Sequence, residues 1–178
     1  MKRVAIFIDG SNLYHGLKNL FGHARLDFRK FVAKLSSGYD LYRTYYYNAV
    51  LDQSINPETY RKQQAFFNQL RELPYFEIRL GVLKQREHGP KEKGVDVMIA
   101  VDMLSMAYKN QYDVAILVSG DGDYAELAKA VKDAGKHVIN AYFESSRSDA
   151  LRYTCDDNIR LDRDFFADLL LEGGPEAG

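Results

Sequence analysis

Four aspartates stand where a folded chain would gather carboxylates. In Ile6-Phe7-Ile8-Asp9-Gly10-Ser11-Asn12 an apolar run ends on an acid, and Ser11 is placed to cap a following helix. In Val118-Ser119-Gly120-Asp121-Gly122-Asp123-Tyr124 an apolar run leads into two acids, with Gly120 and Gly122 relieving the steric limits on a sharp turn. Lys93-Gly94-Val95-Asp96-Val97 sets Asp96 in the first turn of an otherwise apolar segment. Asp9, Asp121 or Asp123 taken alone reads about equally well as a helix cap or a partner of a helix dipole. Asp96 is harder to dismiss, although capping covers it too. Together the four read as one crevice. Carboxylates so gathered repel, and their ionisation is suppressed unless a cation neutralises them. An all-oxygen ligand set suits Mg²⁺ or Mn²⁺ rather than zinc or copper. Asp102 follows Asp96 by six residues, about 240° around a helix, so it points elsewhere and is expected to make a structural hydrogen bond.

The elements that must position these acids are legible from hydrophobic spacing. Residues 4–8, 114–118 and 138–143 are nearly continuous apolar runs, as in strands buried on both faces. Residues 41–50, rich in tyrosine, form a further strand. Phe76, Ile78, Leu80 and Val82 alternate with polar residues or glycine, which places that strand at a sheet edge. Tyr124, Leu127, Ala128 and Val131 recur at helical spacing, and Gly135 stops that helix. Phe28, Phe31, Val32 and Leu35 mark another helix, as do Phe66, Phe67, Leu70 and Leu73. Phe165, Phe166, Leu169 and Leu170 suggest a closing helix. The segment 95–108 is apolar almost all round, the pattern of a largely buried helix. The expected fold is α/β: a three-layer αβα domain over residues 1–171 with a mostly parallel sheet of five or six strands, and a frayed tail at 172–178. Ligands in such sheets bind at the carboxyl ends of the strands, where the strand order reverses.

A chain of 178 residues is long enough to bury a core, and its 46% hydrophobic content argues against disorder. Its 24 basic and 25 acidic residues leave a net charge of -1, so contact with a polyanion must rely on a local patch. The single cysteine, Cys155, cannot form an internal disulfide, and no Cys/His cluster suggests zinc. The apolar run after Met1-Lys2-Arg3 is too short for a signal peptide and stops at Asp9. No run approaches the roughly 18 residues of a membrane span. A cytoplasmic protein is expected.

Ile8-Asp9-Gly10-Ser11-Asn12, Lys93-Gly94-Val95-Asp96-Val97 and Ser119-Gly120-Asp121-Gly122-Asp123-Tyr124 resemble the motifs of the NYN domain, and more narrowly of its LabA-like branch. The resemblance covers roughly residues 3–161, and order and spacing agree. The family is similar to PIN-domain and FLAP-type nucleases, which implies a PIN-like sheet and metal-dependent cleavage of phosphodiesters, usually in RNA. It carries over the acidic positions to Asp9, Asp96, Asp121 and Asp123 as catalytic and metal-binding residues, and polar pocket positions to Asn12 and Ser119. Asp102 also matches a recurrent family acid. The chemistry is consistent with this, because cations held by carboxylates can activate water and stabilise a leaving oxygen. In that reading Asp9 and Asp121 are inner ligands, and Asp96 and Asp123 bind directly or through water.

Lys84, Arg86, Lys91 and Lys93, with His88, sit on a glycine/proline loop next in sequence to Asp96. The loop reads equally well as a clamp for backbone phosphates, with Lys93 best placed, and as a solvated charge run diluted by Glu87 and Glu92. Substrate contacts are expected from Asn12, Ser119, Lys93 and Ser11, with Asp102, Arg86 and Lys91 as further candidates. The tyrosines at 42, 45, 46 and 47 read as core rather than as a stacking platform. His15, on the helical face of Asn12, could look into the pocket, but a surface histidine is the plainer reading. A dehalogenase-type phosphatase would need an acid where Ser11 stands, and a receiver domain an acid where Ile8 stands. No Gly-x-Gly-x-x-Gly or Walker loop appears. The expected function is therefore a metal-dependent nuclease acting on nucleic acid, RNA before DNA. The alternatives are a metal-dependent phosphatase or nucleotidase, and a regulatory RNA-binding module. The exposed edge strand offers a homodimer contact.

Overall fold

The computed structural model describes residues 1–86 and 89–177, and their side chains except those of residues 83–86 and 89–93. The chain runs β1 (Arg3–Asp9), α1 (Gly10–Phe21), α2 (Phe28–Leu35), β2 (Asp40–Val50), α3 (Pro57–Arg71), β3 (Phe76–Arg86), β4 (Gly89–Lys93) and α4 (Val95–Tyr108). It continues through β5 (Val114–Val118), α5 (Ala125–Asp133), β6 (His137–Tyr142), α6 (Asp149–Thr154) and β7 (Asp157–Arg160). The strands form one sheet in the order β4-β3-β2-β1-β5-β6-β7. Six of them run parallel, and β4 alone pairs antiparallel, with β3.

Period-two alternation sends each central strand's side chains to both faces. From β1, Val4, Ile6 and Ile8 join Leu13, Phe31 and Phe67 of α1, α2 and α3 in one core. Ala5 and Phe7 join Ile99, Leu127 and Leu151 of α4, α5 and α6 in the other. The result is the expected three-layer αβα architecture. From β1 the chain fills one side of the sheet with β2 and β3, then crosses to place β5, β6 and β7 on the other. The carboxyl ends of β1 and β5 therefore flank the point where the strand order reverses, the usual ligand crevice of a doubly wound sheet.

Five features differ from the sequence reading. First, the sheet gains β7 at one end and β4 at the other. Residues 84–86 and 89–93 of the cationic segment read as a loop instead lie in two paired strands, with Arg86 opposite Gly89 and Val82 opposite Lys93. Glu87 and His88 lie outside the described residues, as do the side chains of Lys84, Arg86, Lys91 and Lys93. Second, this pairing makes β4 the edge over 82–86, so the expected β3 edge is left only over 76–81.

Third, α4 is not buried all round. Val95, Ile99 and Met103 pack on the sheet, while Val97, Val101 and Tyr108 are 60%, 58% and 73% exposed because no described layer lies beyond this helix. Fourth, 163–169 forms turns instead of a closing helix. Its bonds are mostly i→i−3, and a bridge from Leu170 to Leu26 draws the chain out of helical geometry. Fifth, the segment read as a frayed tail returns to the body. Ala177 is 2% exposed and donates its backbone N–H to the Ala24 carbonyl at 2.9 Å. Among the described residues, no helix is long and apolar enough to cross a membrane.

Candidate functional site

At the carboxyl end of β1, Asp9 is the N-cap of α1, with Oδ1 accepting from the Asn12 backbone N–H at 3.2 Å. The cap is thus Asp9, not Ser11, which lies inside the first turn. The other Asp9 oxygen, Oδ2, accepts from the Ser119 hydroxyl at 3.2 Å. Ser119, fully buried just past β5, in turn accepts from the Asp121 backbone N–H at 3.2 Å. Asp121 caps the short 3-10 turn Gly122–Tyr124 by accepting from the Asp123 backbone N–H at 3.0 Å. Both capping readings hold, and the caps themselves join the two strand ends.

Asp9 and Asp121 line one pocket of about 420 Å³ with Asn12, His15, Asn19 and Ser146. Asn12, His15 and Asn19 share a face of α1 because they are three and seven residues apart. Burial pushes the Asp9 carboxyl above its ordinary 3.8; the Asn12 and Ser119 hydrogen bonds oppose this, and the nearby Asp121 adds to it. Asn12 donates to the Ser146 hydroxyl at 3.4 Å, while its own Oδ1 is buried with no partner among the described residues. A buried acceptor of this kind costs free energy until a donor or a cation meets it.

The other two aspartates of the set stand apart from this pocket. Asp123 is exposed, joined to Asp121 only through its backbone. Asp96 is exposed in the first turn of α4, whose N-cap is Gly94 with φ 89° and no side-chain cap bond. It sits at the same edge of the sheet, since Lys93 pairs with Val82 and Val82 with Val50 at the end of β2. Among the described residues, no three of His, Cys, Asp and Glu stand close enough to hold one ion. Asp102 faces the sheet, accepting from the Tyr47 hydroxyl at 2.8 Å with an Arg79 guanidinium nitrogen at 3.7 Å. Cys155 is buried, which pushes its thiol up to about 12 and keeps it protonated at neutral pH.

Asn19, Ser145 and Ser146 of the pocket, and Asn140 behind it, were missed by sequence reasoning. Asn19 had the helical spacing that could have found it. Ser145 and Ser146 lie in the turn after β6 and carry no local signal. Asn140, fully buried in an otherwise apolar strand, donates to the Ser119 carbonyl at 2.7 Å and the Leu117 carbonyl at 3.3 Å. A polar residue within that run was a visible clue. Asn140→Leu is expected to leave the Ser119 carbonyl unpaired and to cost about 1–3 kcal/mol of stability. Denaturant titration against the wild type measures the loss.

Gly120 and Gly122 also act differently from expectation. Neither has a positive φ. Gly120 is required by close approach, because a Cβ there would collide with the Ser146 carbonyl.

The family model of the NYN domain matches residues 3–162. The chain belongs to the NYN family. Among solved structures, this NYN chain is similar to VPA0982, a protein of unknown function from Vibrio parahaemolyticus RIMD 2210633. The two share 26% identity over 95% of this chain and 96% of that one, with a TM-score of 0.75. No curated protein matches the sequence.

Proposed function

We propose that this NYN domain is a metal-dependent nuclease that hydrolyses phosphodiester bonds in single-stranded RNA. The reading rests on one observation above all. At the point where the strand order reverses, two carboxylates and an amide oxygen with no partner among the described residues belong to side chains that line the same pocket. The donor set, Asp9, Asp121 and Asn12 Oδ1, is all hard oxygen, and Mg²⁺ commonly binds one or two carboxylates while keeping several waters. Such a site fits Mg²⁺ or Mn²⁺. Asp9 and Asp121 would hold the ion directly, with Asp96 and Asp123, which stand outside the pocket, engaged through water. When bound, the cation supplies an activated water at neutral pH and stabilises charge on the leaving oxygen.

The chain's own groups do the positioning. Ser119 fixes Asp9 Oδ2 by hydrogen bonding, and Asn140 fixes Ser119 through its carbonyl. Asn12, Ser11, His15 and Asn19 supply polar groups along α1 toward a phosphate. Lys93, and with it Arg86 and Lys91, belongs to the paired strands that lead into the helix carrying Asp96, where cations would meet the strand's other phosphates. The motifs around Asp96 and Asp121 support the LabA-like branch of the family.

Incubation with Mn²⁺ and end-labelled single-stranded RNA is expected to give shorter products, and none with EDTA or in Asp121→Asn. Phosphate release from mononucleotides with the RNA left intact would replace the nuclease with a phosphatase. RNA binding without product in either assay would replace it with a regulatory module.

A further inference from the structure

A second, larger groove of about 670 Å³ adjoins the acidic pocket, and the two share Ser11 and His15. It runs along the carboxyl end of β2, between α1 and α3, with Tyr14 and Gln63 among its walls. Its far end is closed by the C-terminal segment. Leu171 donates to the Arg25 carbonyl and Ala177 to the Ala24 carbonyl, which lays Glu176 beside two cations. The Glu176 carboxylate is 3.1 Å from Lys18 Nζ and 3.6 Å from an Arg25 guanidinium nitrogen.

Arg25 is poorly served by this arrangement. The Glu176 contact is too long for a good hydrogen bond, and Arg25 Nε is buried with no partner among the described residues. The Arg25 side chain is 31% exposed where it lines the groove, so an acceptor there would meet its terminal nitrogens while Nε stays buried. A phosphate, which matches the planar guanidinium with two parallel hydrogen bonds, is the natural one. The groove volume and its mixture of aromatic, amide and hydroxyl walls suit a nucleoside.

We propose that this groove holds the nucleotide next to the scissile phosphodiester, with that nucleotide's phosphate on Arg25, and that Glu176 competes for the place. The proposal rests on the nucleic-acid reading of the acidic pocket and extends it, because it gives the strand a path across α1 from Asp9 toward Arg25. The tail then acts as an acidic stand-in that a phosphate must displace.

The test is fluorescence anisotropy of a short labelled single-stranded RNA in EDTA, measured over a range of salt concentrations. Arg25→Gln is expected to weaken binding about tenfold. It should also reduce the slope of log affinity against log salt by about 0.7, one phosphate contact. Arg25→Lys keeps the charge and therefore the slope. Glu176→Gln, a change in the half-buried C-terminal segment, is expected to tighten binding about fivefold, the scale of a partly exposed ion pair. That gain should shrink in the Arg25→Gln background.

If Arg25→Gln leaves both affinity and slope unchanged, or Glu176→Gln does not tighten binding, the proposal is overturned, even where Mn²⁺-dependent cleavage is intact. If the Arg25 and Glu176 effects appear while no RNA is ever cut, the strand path stands and the nuclease reading falls.

Discussion

Asp9→Asn is expected to abolish RNA cleavage while making the domain more stable. The two halves follow from the same environment. Asp9 sits at the edge of the sheet, where burial raises its carboxyl above 3.8 and Asp121 adds repulsion. The folded state therefore holds the Asp9 proton more tightly than the unfolded chain does. Its contribution to stability is fully present below the ordinary value and is lost as pH rises through the raised one. At neutral pH the charge is thus a cost of folding, and a neutral amide removes it. Asparagine still caps α1, since its side-chain oxygen can accept from the Asn12 backbone N–H as the carboxylate does.

In the proposed mechanism, catalysis needs the charge that folding does not. Loss of an inner carboxylate removes several kcal/mol of charge stabilisation. The expected fall in rate is on the order of a thousandfold. At subsaturating Mn²⁺, activity in the wild type should rise with pH along an acid limb lying above 3.8, because Asp9 must lose its proton before a cation can bind. Thermal melts and single-turnover cleavage on the same preparations check both halves. A variant that melts lower and still cuts at the wild-type rate would remove Asp9 from the mechanism.

Gly120→Ala is the second large effect, and here stability falls. The added Cβ would meet the Ser146 carbonyl and carbonyl carbon, which are backbone atoms and cannot rotate away. Either the turn after β5 or the turn after β6 must shift. Overpacking of this kind costs roughly 3 kcal/mol. At about 2–4 °C per kcal/mol for a chain of this size, Tm should drop by roughly 10 °C. Cleavage should fall with it, because the two turns carry Ser119, Asp121 and Ser146 into the same pocket. Gly122→Ala is the control. Its Cβ would lie 2.8 Å from the Ser148 hydroxyl oxygen, a side-chain atom that can turn aside by giving up its cap bond to the Leu151 N–H, at a cost of about 1 kcal/mol. Equal losses for both variants would refute the close-approach argument.

Much of this architecture was legible because it is written in neighbouring residues. The continuous apolar runs at β1, β5 and β6 announced strands buried on both faces, and the spacing of Leu127, Ala128 and Val131 announced α5. Gly135, at φ 83°, ends that helix as its position indicated. The pairing of β4 with β3 was not legible, since a glycine/proline segment rich in charge has no strand period. The fate of α4 was not either. Uniform apolarity gives a helix no preferred face, so only its place in the outer layer decides that Val101 stays wet and Met103 does not.

By itself, the sequence determined that acids follow two buried strands and start a third element, because strand and helix periods are local properties of the chain. Only the tertiary structure decided which of those acids meet. The crossover from β3 to β5 sets the ends of β1 and β5 side by side, so Asp9 and Asp121 share a pocket while Asp96 stays at its own helix start. Crossover geometry, the approach of Ser146 to Gly120 and the return of Glu176 onto Arg25 are contacts between distant residues. No run of adjacent side chains encodes them.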